Sequence, residues 1–303
     1  SKKLGISRTA VWKHINALRE EGYNIESVNK KGYRLAEKPD DILSSENIAY
    51  NLPTEFIGKK VIHLDTVGST NDYAKEIGNK VSGGTLIISE QQTKGKGRLG
   101  RVWKSKSGDG IWMSLIIKPK IEPYKAPFLT LVAGASVVKA LSNLGVEASI
   151  KWPNDIIVHN KKICGILTEL SAEMERVNYV VIGIGINIKT IDFPDEIKEK
   201  ATSLYKEGYK LSRVDIVRQF CIEFEKLYKG YILDGNKQDT LELCRKYSAI
   251  IGKQVYVIKN NKRELVKCID INENGNLIVK EKNGEIQEIM SGEVSIRGVK
   301  GYV

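Results

Sequence analysis

The sequence predicts an α+β protein built from three consecutive units, and three observations support this prediction. Residues 1–38 hold a helix followed by two short basic strands, the pattern of a winged helix-turn-helix. In residues 60–247 the predicted strands come singly or in hairpins rather than in β-α-β alternation, which favours a mixed or antiparallel sheet with helices on one side. Residues 248–303 hold short strands separated by Asn-Gly and glycine turns, which is typical of a small β-barrel.

In the first unit, Ser7 is a good N-cap for a helix from Arg8 to about Glu21. Strands over residues 23–28 and 32–35 should form the hairpin, or wing. Residues 1–4 look like the tail of a preceding helix, so we expect the first helix of this unit to be missing. Residues 39–59 are predicted to be a linker. The candidate DNA-binding residues are Ser7, Arg8, Thr9, Lys13 and Asn16 on the helix and Lys31 and Arg34 on the hairpin.

Composition narrows the class of protein. The 303 residues are 41% hydrophobic, which is enough for a large core, and the formal net charge of +11 suits a polyanionic partner such as nucleotide phosphates or nucleic acid. A solvated, lysine-rich surface would give the same charge. We see no apolar stretch long enough to span a bilayer and no signal-peptide pattern, and the four cysteines form no C-x-x-C pair. These features predict a cytoplasmic protein with no membrane partner.

The central unit should contain six main strands and three main helices. The predicted strands are residues 61–64, 85–89, 111–117, 156–159, 163–170 and 179–188, and the predicted helices are residues 71–77, 127–144 and 213–231. The motifs below fall at the ends of these elements or in the loops between them.

The densest functional signal is the basic, glycine-rich loop QQTKGKGRLGRVW at residues 91–103. Its glycines allow backbone N–H groups to approach an anion, and its lysines and arginines neutralise that anion. Gly95, Gly97 and Gly100 formally match G-x-G-x-x-G, but the loop opens no helix, so we reject a dinucleotide fold. The sequence also lacks a P-loop motif.

A second signal is Lys151-Trp152-Pro153-Asn154-Asp155 at the entry to a strand. Such a turn can present Lys151 to a phosphate and Asp155 to a magnesium ion, although an ordinary turn with surface charges is an equal alternative.

Three weaker motifs accompany these two. Lys162 precedes an apolar strand in which Gly165 would let a ligand lie against the sheet. Ser69-Thr70-Asn71 can cap a helix or bind a small polar ring. Residues 183–187 form a glycine-spaced strand that ends in the amide of Asn187.

In this order, these segments resemble the bacterial biotin protein ligases, and the first unit resembles the bifunctional subgroup that also represses biotin biosynthesis genes. The resemblance covers nearly the whole chain, and the basic loop together with Lys-Trp-Pro-Asn-Asp is highly specific. Lys96 stands where many members carry arginine, which keeps the charge but loses the planar fork.

The resemblance implies a catalytic domain related to the class II aminoacyl-tRNA synthetases, followed by an SH3-like barrel. It implies that biotin and ATP form biotinyl-AMP, with magnesium as a further cofactor, and that biotin passes to a lysine of the biotin carboxyl carrier domain of acetyl-CoA carboxylase. It also implies binding to biotin operator DNA as a homodimer when the adenylate is bound.

The family roles fall on residues of this sequence as follows. The catalytic residues would be Lys162, Arg98 and Lys96. The biotin-binding residues would be Ser69, Thr70, Asn71, Gln92, Lys96, Gly97, Arg98, Lys162 and Gly165. The ATP-binding residues would be Arg98, Arg101, Trp103, Lys151, Asn154, Asp155, Asn187 and Arg297. A lipoate ligase and a repressor without enzymatic activity are the alternatives.

Overall fold

The structure is a computed structural model that describes residues 5–20, 24–28, 31–37, 41–259, 262–291, 295–299 and 302–303. In the first unit, helix α1 spans Arg8–Glu20, and strands β1 (Asn24–Val28) and β2 (Gly32–Glu37) form an antiparallel hairpin. The backbone N–H of Ala10 donates to the Ser7 hydroxyl over 3.1 Å, as expected of an N-cap. The predicted remnant of an earlier helix, residues 1–4, lies outside the described residues.

The central unit is built on a seven-stranded sheet in the order β3-β4-β5-β9-β8-β7-β6. Strands β3 and β4 run parallel, and every other pair in this sheet is antiparallel, which confirms the predicted mixed sheet. The strands are β3 (Val61–Val67), β4 (Thr85–Gln92), β5 (Gly110–Ile117), β6 (Ser149–Lys151), β7 (Asp155–Val158), β8 (Lys161–Ala172) and β9 (Val177–Asn187). The helices are α2 (Ser45–Ala49), α3 (Thr70–Ile77), α4 (Phe128–Asn143), α5 (Arg213–Leu233) and α6 (Gln238–Lys246).

The helices do not all lie on one side of the sheet, which corrects the sequence-based expectation. Helices α4 and α5 cover one face, and the main hydrophobic core lies between them and the sheet. Helix α3 covers the other face, where Ala74 packs with Ile87, Ile116 and Tyr179 in a smaller core. Adjacent residues of a strand point to opposite faces, so β4 and β5 supply apolar side chains to both cores.

Helix α4 is apolar on nearly all of its faces because it is the central helix of the main core. The segment Pro123–Asn143 has the length and mean hydropathy of a membrane span, and 72% of its apolar window is buried inside the fold. The expectation that no apolar stretch reaches this length was therefore wrong. The segment is buried as the core helix of a globular domain would be.

The segment predicted to be a linker packs as part of the central unit from residue 41 onward. Leu43, Ile48, Leu52 and Ile57 are all buried in the main core. The Glu225 carboxylate of α5 accepts the backbone N–H groups of residues 55, 56 and 57 over 2.6–2.9 Å. Four apolar side chains within a polar segment are enough to anchor it, and their spacing follows no regular period that sequence analysis would detect.

The last unit is a five-stranded antiparallel sheet in the order β13-β12-β11-β10-β14. Its strands are β10 (Gln254–Lys259), β11 (Lys262–Ile271), β12 (Leu277–Lys280), β13 (Ile286–Ile289) and β14 (Ser295–Gly298). It docks against the central unit at a turn, where the buried Trp152 indole N–H donates to the Gly275 carbonyl over 3.0 Å. A Cβ atom at Gly275 would lie 2.4 Å from Leu131 of α4, so the close approach of the two units requires glycine there.

Candidate active site

One cavity of about 670 Å³ lies between the central sheet, the basic loop and the last unit. All the site residues that the sequence predicts between positions 60 and 303 line this cavity. They are Ser69, Thr70, Asn71, Gln92, Lys96, Gly97, Arg98, Arg101, Trp103, Lys151, Asn154, Asp155, Lys162, Gly165, Asn187 and Arg297. Motifs separated by more than 200 residues of sequence therefore meet in one place. Their individual roles remain predictions.

The first end of the cavity is lined by uncharged polar groups that are already hydrogen-bonded to one another. The Thr70 backbone N–H and hydroxyl both donate to the Gln92 amide oxygen, over 2.9 and 3.1 Å. The Gln92 amide nitrogen in turn donates to the Ser105 hydroxyl over 2.8 Å. Ser69 lies at the start of this segment, where its hydroxyl caps α3 by accepting the N–H of Asp72 over 3.4 Å. We call this end the amide end.

Asn71 joins the amide end to the sheet. Its side-chain oxygen accepts from the buried Ser114 hydroxyl over 2.6 Å, and its side-chain nitrogen donates to Glu169 over 2.7 Å. A Cβ atom at Gly183 would lie only 2.2 Å from the Asn71 oxygen. Glycine at position 183 is therefore what allows Asn71 to lie flat against the sheet.

Two glycines of adjacent strands lie at the middle of the cavity. Gly165 of β8 and Gly185 of β9 lie directly opposite each other in the sheet, and the indole of Trp103 covers both. A Cβ atom at Gly185 would lie 2.5 Å from the Trp103 nitrogen, and one at Gly165 would lie 3.0 Å from the same ring. The Trp103 N–H is buried and has no acceptor in the described part of the chain, so a ligand in the cavity could provide one.

The second end of the cavity is rich in charge, and we call it the cation end. The Lys162 ammonium forms an ion pair with Asp155 and lies 5.2 Å from the centre of the Trp103 ring. The other oxygen of Asp155 accepts a hydrogen bond from the hydroxyl of Tyr302. Burial alone would raise the pKa of Asp155, but Lys162 and Tyr302 hold it below its ordinary value, so Asp155 is an anion.

Lys151 is a buried cation without a hydrogen-bond acceptor among the residues that the structure describes. Its ammonium lies 3.3 Å from the centre of the Tyr302 ring. The pKa of Lys151 is lowered from its ordinary 10.5 to about 7, chiefly by burial and also by nearby Arg297, Lys162 and Arg101, whereas Asp155 opposes the shift. An arriving phosphate would give this ammonium both a counter-charge and acceptors.

Two side chains of the basic loop, those of Lys96 and Arg98, contact the rest of the protein. Lys96 forms an ion pair with Asp72 over 2.7 Å. The Arg98 guanidinium donates to the side-chain oxygen of Asn154 over 2.8 Å and to the carbonyl of Ser291 in the last unit over 2.7 Å. The loop therefore lines one side of the cavity and connects the central unit to the last unit.

The residues around Asp155 do not form a dedicated magnesium site. Both Asp155 oxygens are engaged by Lys162 and Tyr302, and no group of three or more His, Cys, Asp or Glu side chains suited to a metal ion occurs among the described residues. Asn187, another predicted nucleotide ligand, uses its side-chain nitrogen to hold the carbonyl of Thr202 over 3.0 Å. A protein-only magnesium site would need more oxygen ligands than this cluster offers.

Sequence analysis missed several residues that shape the cavity. Ser114 and Glu169 hold Asn71, and Tyr302 contacts both Lys151 and Asp155. Ser114 had a detectable signal, because it is a lone polar residue within the apolar strand Gly110–Ile117. Tyr302 had none, because nothing in the local sequence links it to residues 150 positions away.

The predicted DNA-binding residues lie on α1 and on the hairpin. Ser7, Arg8, Thr9, Lys13, Lys31 and Arg34 are exposed, and Asn16 is half-buried. Arg34 pairs with Glu26 on the neighbouring strand over 2.7 Å, an exposed contact that a phosphate could replace at little cost. Arg19 connects the helix to the hairpin by donating to the Ile25 carbonyl over 2.7 and 2.9 Å.

Three family models match successive parts of the chain. The Biotin/lipoate A/B protein ligase family matches residues 64–187, an HTH domain matches residues 1–34, and the Biotin protein ligase C terminal domain matches residues 250–297. The bifunctional ligase/repressor BirA of Bacillus spizizenii is 43% identical over 301 residues, covering 98% of this chain and 92% of that protein. BirA of Escherichia coli is 30% identical over 299 residues, covering 98% of this chain and 91% of that protein.

A solved structure shares the fold of most of the chain. The biotin protein ligase of Aquifex aeolicus in complex with biotin and ATP aligns with a TM-score of 0.70 at 32% identity, covering 79% of this chain and 99% of that one. The extent of these matches, and the presence of all three units in order, leave one assignment. The chain belongs to the biotin protein ligase family, in the bifunctional branch that joins an N-terminal helix-turn-helix domain to the ligase.

Proposed function

We propose that this chain makes biotinyl-AMP from biotin and ATP and then transfers biotin to a lysine of the biotin carboxyl carrier domain of acetyl-CoA carboxylase. The observation that carries the proposal is the arrangement of the cavity. A hydrogen-bonding amide end and a cation end are joined by two glycines of the sheet under the Trp103 indole, whose N–H has no acceptor in the described part of the chain. Biotin fits the amide end through its ring system, and a nucleotide fits the cation end through its phosphates.

The first step joins two anions, so the site must neutralise charge. A biotin carboxylate oxygen attacks the α-phosphorus of ATP, a new P–O bond forms, and the bond to the pyrophosphate oxygen breaks. Lys162 holds the carboxylate, and Arg98 and Lys96 of the basic loop offset the negative charge that builds up at the phosphorus. These side chains bind and orient, which is why the site needs no nucleophilic residue of its own.

In the second step the ε-amine of the carrier lysine attacks the acyl carbon of biotinyl-AMP. A C–N bond forms, the C–O bond to AMP breaks, and the amine loses a proton as AMP leaves. We assign the biotin contacts to Ser69, Thr70, Asn71, Gln92, Gly97 and Gly165, and the nucleotide contacts to Arg101, Trp103, Lys151, Asn154, Asp155, Asn187 and Arg297.

Magnesium enters this proposal with the nucleotide. ATP phosphates and water supply most ligands of a magnesium ion in many nucleotide sites, so a single carboxylate such as Asp155 can complete the set. Magnesium would neutralise the departing pyrophosphate when bound. Asp155 would first have to release Lys162 or Tyr302, and for this reason we assign no step to the ion.

The N-terminal unit supports a second role as a repressor of biotin biosynthesis genes. Exposed Arg8, Thr9 and Lys13 on α1 can enter a major groove, and Lys31 and Arg34 on the hairpin can reach phosphates. A two-fold operator would require two copies, so we propose that the adenylate-bound chain forms a homodimer and that the protein works in the cytoplasm.

The test of the ligase proposal is biotin-dependent release of pyrophosphate from ATP. The chain is incubated with ATP and magnesium and with either biotin or lipoate, and pyrophosphate is measured. We expect pyrophosphate release in the reaction with biotin and no release in the reaction with lipoate. Release with lipoate in place of biotin would identify a lipoate ligase, and no release with either would leave only the repressor role.

A further inference from the structure

Tyr302 lies at the cation end. It belongs to the last unit, whereas the residues that it contacts belong to the central unit. It is 8% exposed and lines the cavity together with Arg297 of β14. Its two contacts reach different groups. The ring face lies against the Lys151 ammonium, and the hydroxyl donates to Asp155.

The ring face replaces the hydrogen-bond acceptor that Lys151 lacks. The Lys151 nitrogen is 3.3 Å from the ring centre, and the negative face of an aromatic ring attracts a cation, most strongly where water is excluded. No acceptor for this nitrogen occurs among the described residues, so the ring is the group that fixes its position.

The hydroxyl acts on the same cluster from the other side. It donates to one oxygen of Asp155, and the other oxygen pairs with Lys162. Burial and the nearby Asp155 anion raise the pKa of Tyr302 well above its ordinary value, so the phenol keeps its proton and stays a donor. One side chain thus fixes both a cation assigned to the nucleotide and the carboxylate that orients Lys162.

A glycine holds Tyr302 in this position. The N–H of Gly298 at the end of β14 donates to the carbonyl of Tyr302 over 3.4 Å, and a Cβ atom at position 298 would lie 2.3 Å from the backbone of Val303. Residues 302–303 can therefore pass over β14 only because position 298 has no side chain. Replacing Gly298 should move Tyr302 without changing it.

We infer that Tyr302 is a positioning residue for the nucleotide, which it serves by holding Lys151 and Asp155 in the arrangement that receives the phosphates. This inference rests on the proposed ligase function and adds to it a residue of the last unit whose two direct contacts, Lys151 and Asp155, are both assigned to the nucleotide.

The test compares Tyr302→Phe, Tyr302→Leu and Gly298→Ala with the parent chain. Tyr231→Leu is the matched control. Tyr231 is also buried and donates its hydroxyl to a backbone carbonyl over 3.0 Å, but it lies on α5 outside the cavity. The measurements are the KM for ATP and kcat of biotin-dependent pyrophosphate exchange, the Kd for biotin without nucleotide, and the Tm of each variant.

We expect Tyr302→Leu and Gly298→Ala to raise the KM for ATP about tenfold, with a smaller loss of biotin affinity, because Tyr302 reaches Lys162 only through Asp155. Tyr302→Phe keeps the ring but loses the hydroxyl, so its KM should lie between those of the parent and Tyr302→Leu. Tyr231→Leu should lower the Tm without a selective change in the KM for ATP.

Two results would overturn the inference. One is a parental KM for ATP in Tyr302→Leu. The other is an equal weakening of ATP and biotin in Tyr302→Leu at a Tm loss matching that of Tyr231→Leu, which would make the role structural only. A parent chain without biotin-dependent exchange is a different result, because it would refute the ligase proposal itself.

Discussion

The amide end and the cation end of the cavity satisfy their polar groups in different ways. At the amide end, Thr70, Asn71 and Gln92 are fixed by hydrogen bonds to one another and to their neighbours on the sheet. At the cation end and in the adjoining middle of the cavity, Lys151 and the Trp103 N–H are buried without an acceptor in the described part of the chain. Buried donors without partners cost free energy, which a ligand that accepts from them would return.

This difference indicates how the site works. The amide end belongs to the central unit, and its hydrogen bonds are formed without a ligand. The cation end is assembled from the central sheet, the basic loop and the last unit, and its cations repel one another. We therefore expect biotin to find a preformed site and ATP to complete an unfinished one.

The largest effect should come from Lys162 of the cation end, which we assign to the biotin carboxylate. Lys162→Ala should lower the rate of adenylate formation at least about a hundredfold, because it removes a charge-assisted contact that strengthens as the two anions approach. The rate of biotin-dependent pyrophosphate release measures this effect, and circular dichroism checks the fold.

Lys161→Ala is the matched control, because Lys161 is the preceding residue of β8 but does not line the cavity. It should release pyrophosphate at the parental rate. Normal release by Lys162→Ala would remove this lysine from the site.

Two glycines of β9 offer a way to damage each end separately. Gly183→Ala should push Asn71 off the sheet and weaken biotin binding about tenfold or more, because no space exists for a Cβ atom. Gly185→Ala should displace Trp103 instead and raise the KM for ATP by a similar factor.

Calorimetric biotin binding without nucleotide and the KM for ATP distinguish the two variants of β9. Each alanine is the control for the other, since both lie on the same strand and face. If both variants weakened both ligands equally, the division of the cavity into two ends would be incorrect.

The pH dependence of ATP binding should reveal Lys151. Its pKa in the free protein is about 7, and the protonated form is the one that binds phosphates, so affinity should fall as the pH rises through 7. Between about pH 6.5 and about pH 8 the KM for ATP should increase about tenfold.

Lys151→Met corrects for the ionisation of ATP itself, which occurs over the same range. After division by the KM for ATP of this variant at each pH, the KM of the parent should still increase about tenfold. Parallel curves for the two proteins would show that Lys151 does not titrate in the site.

The smallest effect should come from Ser69, which caps α3. Ser69→Ala should cost about 1 kcal/mol of stability through loss of the cap. Chemical denaturation measures this loss, and Ser69→Asn, which keeps a capping side chain, should recover most of it. Because Ser69 is also assigned to biotin, Ser69→Asn should weaken biotin binding at normal stability, and an unchanged biotin affinity would limit Ser69 to the cap.

Sequence reasoning predicted the site better than it predicted the packing. Motifs such as the basic loop and Lys151–Asp155 are local patterns whose chemistry is visible in their side chains, and the structure brings them into one cavity. The burial of residues 41–59 and the placement of α3 on the second face of the sheet depend on long-range packing. Periodicity carries no information about such contacts.

The glycines of the site also show that long-range contacts cannot be predicted from local sequence. Gly183 and Gly185 looked like weak signals because a glycine in a strand has many explanations. Their role becomes clear only when Asn71 and Trp103, from distant parts of the sequence, are seen to lie on them. Tyr302 is the extreme case, since its partners are 147 and 151 positions away in the chain.

Hydrogen exchange of the backbone amides tests the contrast between the two ends most directly. Exchange is followed by mass spectrometry in the free protein, with biotin alone, and with biotin plus a non-hydrolysable ATP analogue. Residues 69–77 and 110–117 should exchange equally slowly in all three states, whereas residues 94–104 should become strongly protected only when both ligands are present. Strong new protection of residues 69–77 on adding biotin, with no change in residues 94–104 on adding the nucleotide analogue, would contradict the account.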